Sequence, residues 1–179
     1  ANQFWHTDSS FMQTVAKYSL LSARVIPDAG GDTEFADLRA AYDELPDDLG
    51  DIVTDLMAEH HPLHSRILLG NVYTEEQMAN IPPAKWPIVR THPGSGREIL
   101  FTPIHIHKID GMSDPEARML ADELIEHSTQ PQFVYRHKWR PNDLVMWDNR
   151  CTLHRGRRFD LTARRDLRRT TVMEEPSTT

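Results

Sequence analysis

The chain has 179 residues, 39% hydrophobic and 26% charged, which suits one globular domain with a buried core. No apolar run approaches the roughly 18 residues that cross a bilayer as a helix, which excludes an integral membrane protein of that kind. Twenty basic against twenty-seven acidic side chains give a net charge of −7, which argues against a general nucleic-acid binder. The single cysteine, Cys151, excludes an internal disulfide framework and any Cys-rich zinc or iron–sulfur site.

In chain order, Ala1-Asn2-Gln3-Phe4-Trp5-His6 reads as the middle of a strand, so an absent N-terminal segment is expected. No basic, then apolar, leader is visible, and the expected compartment is the cytoplasm. Tyr18 to Ile26 is apolar and β-leaning, and Pro27 to Asp32 makes a turn. Glu34 to Leu45 reads as a short helix, with Phe35, Leu38, Ala41, Tyr42 and Leu45 on one face. Pro46 opens a second helix through about Glu59. Thr74-Glu75-Glu76-Gln77 is a capping box for a third. The region 34–80 is thus expected as a helical insert.

Trp86 to Thr91 and Glu98 to Ile109 read as strands joined at Pro93-Gly94-Ser95-Gly96. Ser113-Asp114-Pro115-Glu116 caps a helix running to about His127. Phe133 to Trp139, Leu144 to Trp147 and Leu167 to Met173 close the chain as strands. This order fits a mainly β barrel or sandwich with helices attached, an α+β arrangement. It does not fit a doubly wound sheet, because strands and helices do not alternate. Neither a G-x-G-x-x-G nor a P-loop is present.

Three features carry chemistry. In extended backbone, His6 and Asp8 share a face and can offer a nitrogen and an oxygen to one metal ion. His154, near the end of an apolar strand beside Gly156, supplies a candidate third ligand. Two His and one carboxylate form the triad that suits non-haem Fe(II). The third feature is the basic C-terminal part: residues 150–169 hold eight Arg and two Asp. If 164–171 is a strand, Arg165, Leu167, Arg169 and Thr171 share one face. Two inward arginines need anionic partners, and Arg is the natural bidentate partner of a carboxylate. The plainer alternatives are an ordinary polar pair, a hydrogen-bonded histidine and a solvated basic strand.

Taken together, the blocks Phe4–Phe11, Gly30–Phe35, Arg90–Arg97, Asp143–Arg150 and His154–Arg158 resemble the taurine / 2,4-dichlorophenoxyacetate dioxygenase family. Asp8-Ser9-Ser10-Phe11 and Leu153-His154-Arg155-Gly156-Arg157-Arg158 are similar to its phenoxyacetate branch. The resemblance implies a double-stranded β-helix (jelly-roll, cupin-like) core in a single domain over 1–179 that lacks roughly its first third. It implies Fe(II) on His6, Asp8 and His154, with 2-oxoglutarate and O2 as cosubstrates and ascorbate as a supporting reductant. It implies Thr33 and Arg165 on the distal carboxylate of 2-oxoglutarate, and Arg169 on the acidic group of the substrate. Trp147 would wall the pocket, and His92 and His105 would reach it.

The implied reaction hydroxylates a small anionic substrate, an aryloxyalkanoate first of all. An alkylsulfonate or sulfate ester is the alternative substrate, and a non-catalytic metal- or anion-binding barrel or inactive fragment is the alternative of another class. His60, His61, His64 and His127 are expected in solvent, and Cys151 as a packed thiol. An uncovered sheet edge would favour association into a homo-oligomer.

Overall fold

A computed structural model describes residues 2–174. The chain runs through β1 (Ala16–Val25), β2 (Thr33–Asp37), α1 (Leu38–Asp43), α2 (Asp47–Val53), β3 (Met57–His60), α3 (His64–Ile67) and α4 (Glu75–Ala79). It continues through β4 (Ala84–Pro87), β5 (Val89–Thr91), β6 (Glu98–Leu100), β7 (Ile106–Ile109) and α5 (Asp114–Ser128). The last elements are β8 (Val134–His137), β9 (Leu144–Asp148), β10 (Thr152–Gly156) and β11 (Asp166–Met173). The molecule is mostly β with few helices. No helix among the described residues is long and apolar enough to cross a membrane.

Two antiparallel sheets frame the site described below. One has the order β11-β1-β9 and the other β10-β2-β8. In the first, Ser19 of β1 stands opposite Trp147 and Thr171, and Leu21 stands opposite Val145 and Arg169. Side chains alternate along a strand, so this register sends Ser19, Leu21, Trp147 and Arg169 to one face. In the second sheet His154 stands opposite Phe35, and Gly156 opposite Thr33. A further sheet, β4-β3-β7, and the β5–β6 hairpin pack beside them.

Two buried clusters hold these layers. Trp5, Ala36, Leu38, Ile99, Phe101, Cys151 and Leu153 form one. The other joins Leu49, Val53, Ala58, Ile88, Leu100, Ile106 and Ile109 to Ala117, Leu120, Ala121 and Leu124 of α5. Those four α5 residues recur at the spacing of one helix face. The helix begins as expected, with the Ser113 backbone N–H donating to the Glu116 carboxylate at 2.8 Å. The capping box of α4 is also present: the Gln77 N–H donates to Thr74 Oγ1 at 3.2 Å and the Thr74 N–H to Gln77 Oε1 at 2.8 Å.

Region 34–80 differs from the expectation of a helical insert. The helix expected over Glu34–Leu45 starts only at Leu38, because Thr33–Asp37 is the central strand of its sheet. Pairing on both edges outweighs the weak local helix preference. Asp37 ends the strand and caps α1, accepting from the Arg39 N–H at 3.0 Å. The second helix ends at Val53 rather than near Glu59, and Met57–His60 is a strand between β4 and β7. The strand expected over Glu98–Ile109 divides into β6 and β7.

Candidate metal centre and adjoining anion pocket

The first residues lie along β10. His6 and His154 exchange backbone hydrogen bonds of 3.1 and 2.8 Å, and the Gly156 N–H donates to Asn2 O at 2.8 Å. This pairing brings the two imidazoles together, with ring centroids 4.2 Å apart and the planes tilted by 44°. Thr7, between His6 and Asp8, turns the other way and donates from Oγ1 to Asn149 O at 2.6 Å. Asp8 therefore returns to the side of His6, and its Oδ1 lies 3.9 Å from His154 Nε2. One ligand atom from each of His6, Asp8 and His154 lies within 4.8 Å of the others.

The chemistry of these donors fits a divalent cation. His6 Nδ1 lies 2.8 Å from Phe4 O. A carbonyl only accepts, so Nδ1 carries the proton and Nε2 keeps a free lone pair. Asp8 Oδ2 accepts from Ser19 Oγ at 2.6 Å, so one carboxylate oxygen is engaged away from the histidines. Burial pushes both imidazoles below their ordinary range, leaving them neutral, as metal ligands must be. Two nitrogens and one oxygen on three corners suit a first-row divalent metal with open positions.

A cavity of about 200 Å³ opens beside this cluster. His6, His154, Thr33, Trp147, Arg165 and Arg169 all line it. Thr33 is buried, and its Oγ1 accepts from Trp139 Nε1 at 3.0 Å; its own hydroxyl proton stays free to donate. Arg165 donates from Nη2 to Gly31 O at 3.0 Å, while its buried Nε has no hydrogen-bond partner among the described residues.

The Gly30–Gly31 turn makes room for Arg165. Both glycines have positive φ, and a Cβ on Gly31 would stand 3.1 Å from Arg165 Nε. Arg169, on the inward face of β11, donates from Nη1 to Asp8 Oδ1 at 2.8 Å. Trp147 packs with its ring centroid 4.8 Å from that of His154.

Two other expected pocket residues, His92 and His105, do not line this cavity. His92 faces Asp148, with Nε2 3.1 Å from Oδ2. Both line a separate cavity of about 340 Å³ that shares Trp147 with the first. His105 sits behind His6, ring centroids 6.4 Å apart, with Nδ1 2.9 Å from Ser10 Oγ. Burial lowers its pKa to about 3.

The solvated reading of His60 and His61 is also corrected, since both are buried. His60 stacks on Phe101 because β3 is an inner strand, flanked on both edges. His64 is half-buried beside Arg118, with its pKa lowered to about 4, first by burial. His127 donates to Ala41 O at 2.7 Å. Cys151 is buried, as expected of a packed thiol.

Comparison with known proteins fits this geometry. The model of the family described as "Taurine catabolism dioxygenase TauD, TfdA family" matches residues 1–171. The chain belongs to the TauD/TfdA family. It is 59% identical over 174 residues to the alpha-ketoglutarate-dependent 2,4-dichlorophenoxyacetate dioxygenase of Burkholderia sp. (strain RASC), covering 97% of this chain and 59% of that one. It is 58% identical over 176 residues to the protein of the same name from Cupriavidus pinatubonensis, covering 98% and 61%. The chain thus spans about three-fifths of the length of these relatives. It also superposes on the crystal structure of AAD-2 in complex with Mn(II) and N-oxalylglycine, with a TM-score of 0.93, 51% identity, and coverage of 99% and 71%.

Two polar residues of this TauD/TfdA-family chain escape a reading of sequence alone. Ser19 lies inside the apolar run of β1 and is fully buried against Asp8. Asn149 follows β9 and is also buried. A polar residue at an inward position of an apolar strand is the signal that marks Ser19. Asn149 lies within a turn-forming run, where asparagine is expected on local grounds.

Proposed function

We propose that this chain carries the metal and cosubstrate site of an Fe(II)- and 2-oxoglutarate-dependent dioxygenase acting on aryloxyalkanoates such as 2,4-dichlorophenoxyacetate. Its two facing sheets are then the halves of a double-stranded β-helix, folded as a single domain. The observation that carries the reading is the convergence of His6, Asp8 and His154 at the edge of a cavity that also holds Arg165 and Arg169. The 58–59% identity to dichlorophenoxyacetate dioxygenases supports the substrate class.

Bound iron would supply O2 activation coupled to oxidative decarboxylation of 2-oxoglutarate. The chain's own residues bind and orient. His6, Asp8 and His154 would hold the metal, and His6 and His154 also line the cavity. The Arg165 guanidinium and the Thr33 hydroxyl, which both line the cavity, offer donors to the distal carboxylate of 2-oxoglutarate. Arg169 offers a guanidinium to the substrate carboxylate, which aims the carbon beside the ether oxygen at the metal. Trp147 closes the apolar wall.

Hydroxylation at that carbon gives a hemiacetal, which collapses to a phenol and glyoxylate. 2-Oxoglutarate leaves as succinate and CO2, so one oxygen atom of O2 enters the substrate and the other enters succinate. The test is succinate and phenol release under air with Fe(II), 2-oxoglutarate, ascorbate and 2,4-dichlorophenoxyacetate, beside His154→Ala. Substrate-dependent release of both, lost in the variant, supports the proposal. Turnover with an alkylsulfonate or sulfate ester but not with the aryloxyacetate overturns the substrate class. Absence of anaerobic metal binding overturns the dioxygenase reading.

A further inference from the structure

Asp8 presents one carboxylate oxygen toward His154 and has the other tied back. The tie leads to Asn149. Asn149 Oδ1 accepts from the Asp8 backbone N–H at 3.2 Å and from Trp147 Nε1 at 3.0 Å. Two N–H donors converge on that atom, so it is the carbonyl oxygen, and the amide orientation is fixed. Nδ2 then donates to Ser19 Oγ at 2.9 Å. Ser19 has one proton, and with its oxygen occupied by Nδ2 that proton goes to Asp8 Oδ2 at 2.6 Å.

The relay Asn149–Ser19–Asp8 is buried throughout: Asn149 is 1% exposed, Ser19 0% and Asp8 9%. Asn149 itself is anchored by its backbone N–H, which donates to Lys17 O at 2.9 Å on β1. One amide thereby fixes the backbone at Asp8, the indole of Trp147 and, through a hydroxyl, the rotation of the Asp8 carboxyl. Bonds in such a chain act together, and a half-satisfied buried network is costly.

We infer that Asn149 is a positioning residue for the metal centre. Acting through Ser19, it engages Asp8 Oδ2 and leaves Oδ1, which also accepts from Arg169 Nη1 at 2.8 Å, as the single carboxylate donor beside His6 and His154. The inference rests on reading these three residues as metal ligands. Groups that orient a metal-ligating side chain commonly contribute about 10- to 100-fold to metal affinity.

The test measures Mn(II) binding without turnover, by titrating the free-ion electron paramagnetic resonance signal against the protein under anaerobic conditions. Asn149→Ala and Ser19→Ala are each expected to weaken Mn(II) by about 10- to 100-fold. Because both break one chain, the double variant should bind about as the weaker single does, not as the product of the two losses. Ser19→Ala removes one oxygen and carries the test alone if Asn149→Ala does not fold.

A merely structural Asn149 would lower Tm and leave the affinity of the folded variant unchanged. Folded variants that bind Mn(II) within about twofold of the parent overturn the inference. Asp8→Ala separates the two levels. If it loses Mn(II) while Ser19→Ala and Asn149→Ala keep it, only the role of Asn149 fails. If Asp8→Ala also keeps Mn(II), the metal reading of the centre fails with it.

Discussion

Arg169 Nη1 donates to Asp8 Oδ1 at 2.8 Å, so the arginine assigned to the substrate's acidic group also faces the carboxylate assigned to the metal. The guanidinium side chain is 55% exposed, so the pair adds little to stability. Its weight is electrostatic, because a fixed positive charge beside Asp8 opposes a second cation there. Arg169→Ala is expected to leave Mn(II) affinity equal or tighter. It should raise KM for an aryloxyacetate by about 10- to 100-fold, the scale of a hydrogen bond to a charged group. Binding titrations and steady-state rates check both. A clear loss of Mn(II) affinity would show instead that Arg169 orients Asp8.

Arg165 and Gly31 make a paired prediction. The arginine's Nη2 is engaged by Gly31 O, and its Nε lies where a Cβ on Gly31 would intrude. Arg165→Ala is expected to weaken 2-oxoglutarate about 10- to 100-fold with Mn(II) binding unchanged. Gly31→Ala has two effects, since φ at this position is +73°. The left-handed backbone costs about 1–2 kcal/mol with a side chain present, and the added methyl crowds the guanidinium. Tm should fall, and 2-oxoglutarate affinity should fall in the folded variant. Equilibrium dialysis with the Mn(II)-loaded protein measures the second effect, and unchanged affinity would mean that Arg165 adjusts without loss.

The candidate centre was legible in sequence where local geometry places it. His6 and Asp8 are two apart and Thr7 turns away between them. Arg165 and Arg169 share a face if the strand is extended back through 165, and although β11 begins only at Asp166, the cavity receives both. The caps of α4 and α5 were legible because a capping box is a short-range pattern. Strand β2 was not. Thr33 to Ala36 are all buried, since the strand is covered on both faces and paired on both edges, so no polar alternation marks it. Glu34 was expected to open a helix, yet it lies in the strand, is buried and accepts from Arg155 Nε at 2.7 Å. Ser19 and Asn149 were hidden for a related reason: their roles exist only once β1 meets β9.

The buried histidines predict acid sensitivity. His105 is held neutral down to about pH 3, first by burial, and His60 shifts in the same direction. In the unfolded chain both take up a proton near pH 6.5. Between those limits the unfolded state binds more protons, so stability rises with pH and is lost as pH falls below about 6.5. Each such histidine contributes a slope of up to about 1.4 kcal/mol per pH unit. Tm should decline between pH 7 and pH 5, before most carboxylates titrate. His105→Gln should flatten that decline if it folds, and a Tm unchanged over the interval in the parent would contradict the assignment.

Leu153 separates packing from chemistry on a single strand. It is fully buried with Trp5, Leu38, Ile99 and Phe101, and it precedes His154 on β10 with its side chain on the opposite face. Leu153→Ala is expected to cost about 2–5 kcal/mol of stability through lost burial and the cavity left behind. The backbone pairing of His6 with His154 does not use this side chain, so the folded variant should bind Mn(II) within about threefold of the parent. Denaturant unfolding gives the first quantity and low-temperature titration the second. Saturating Mn(II) should then raise the Tm of the variant, because a ligand that binds only the folded state stabilises it by mass action. If affinity instead falls tenfold or more in the folded variant, the Leu153 cluster sets the spacing of the two histidines as well as the stability of the fold.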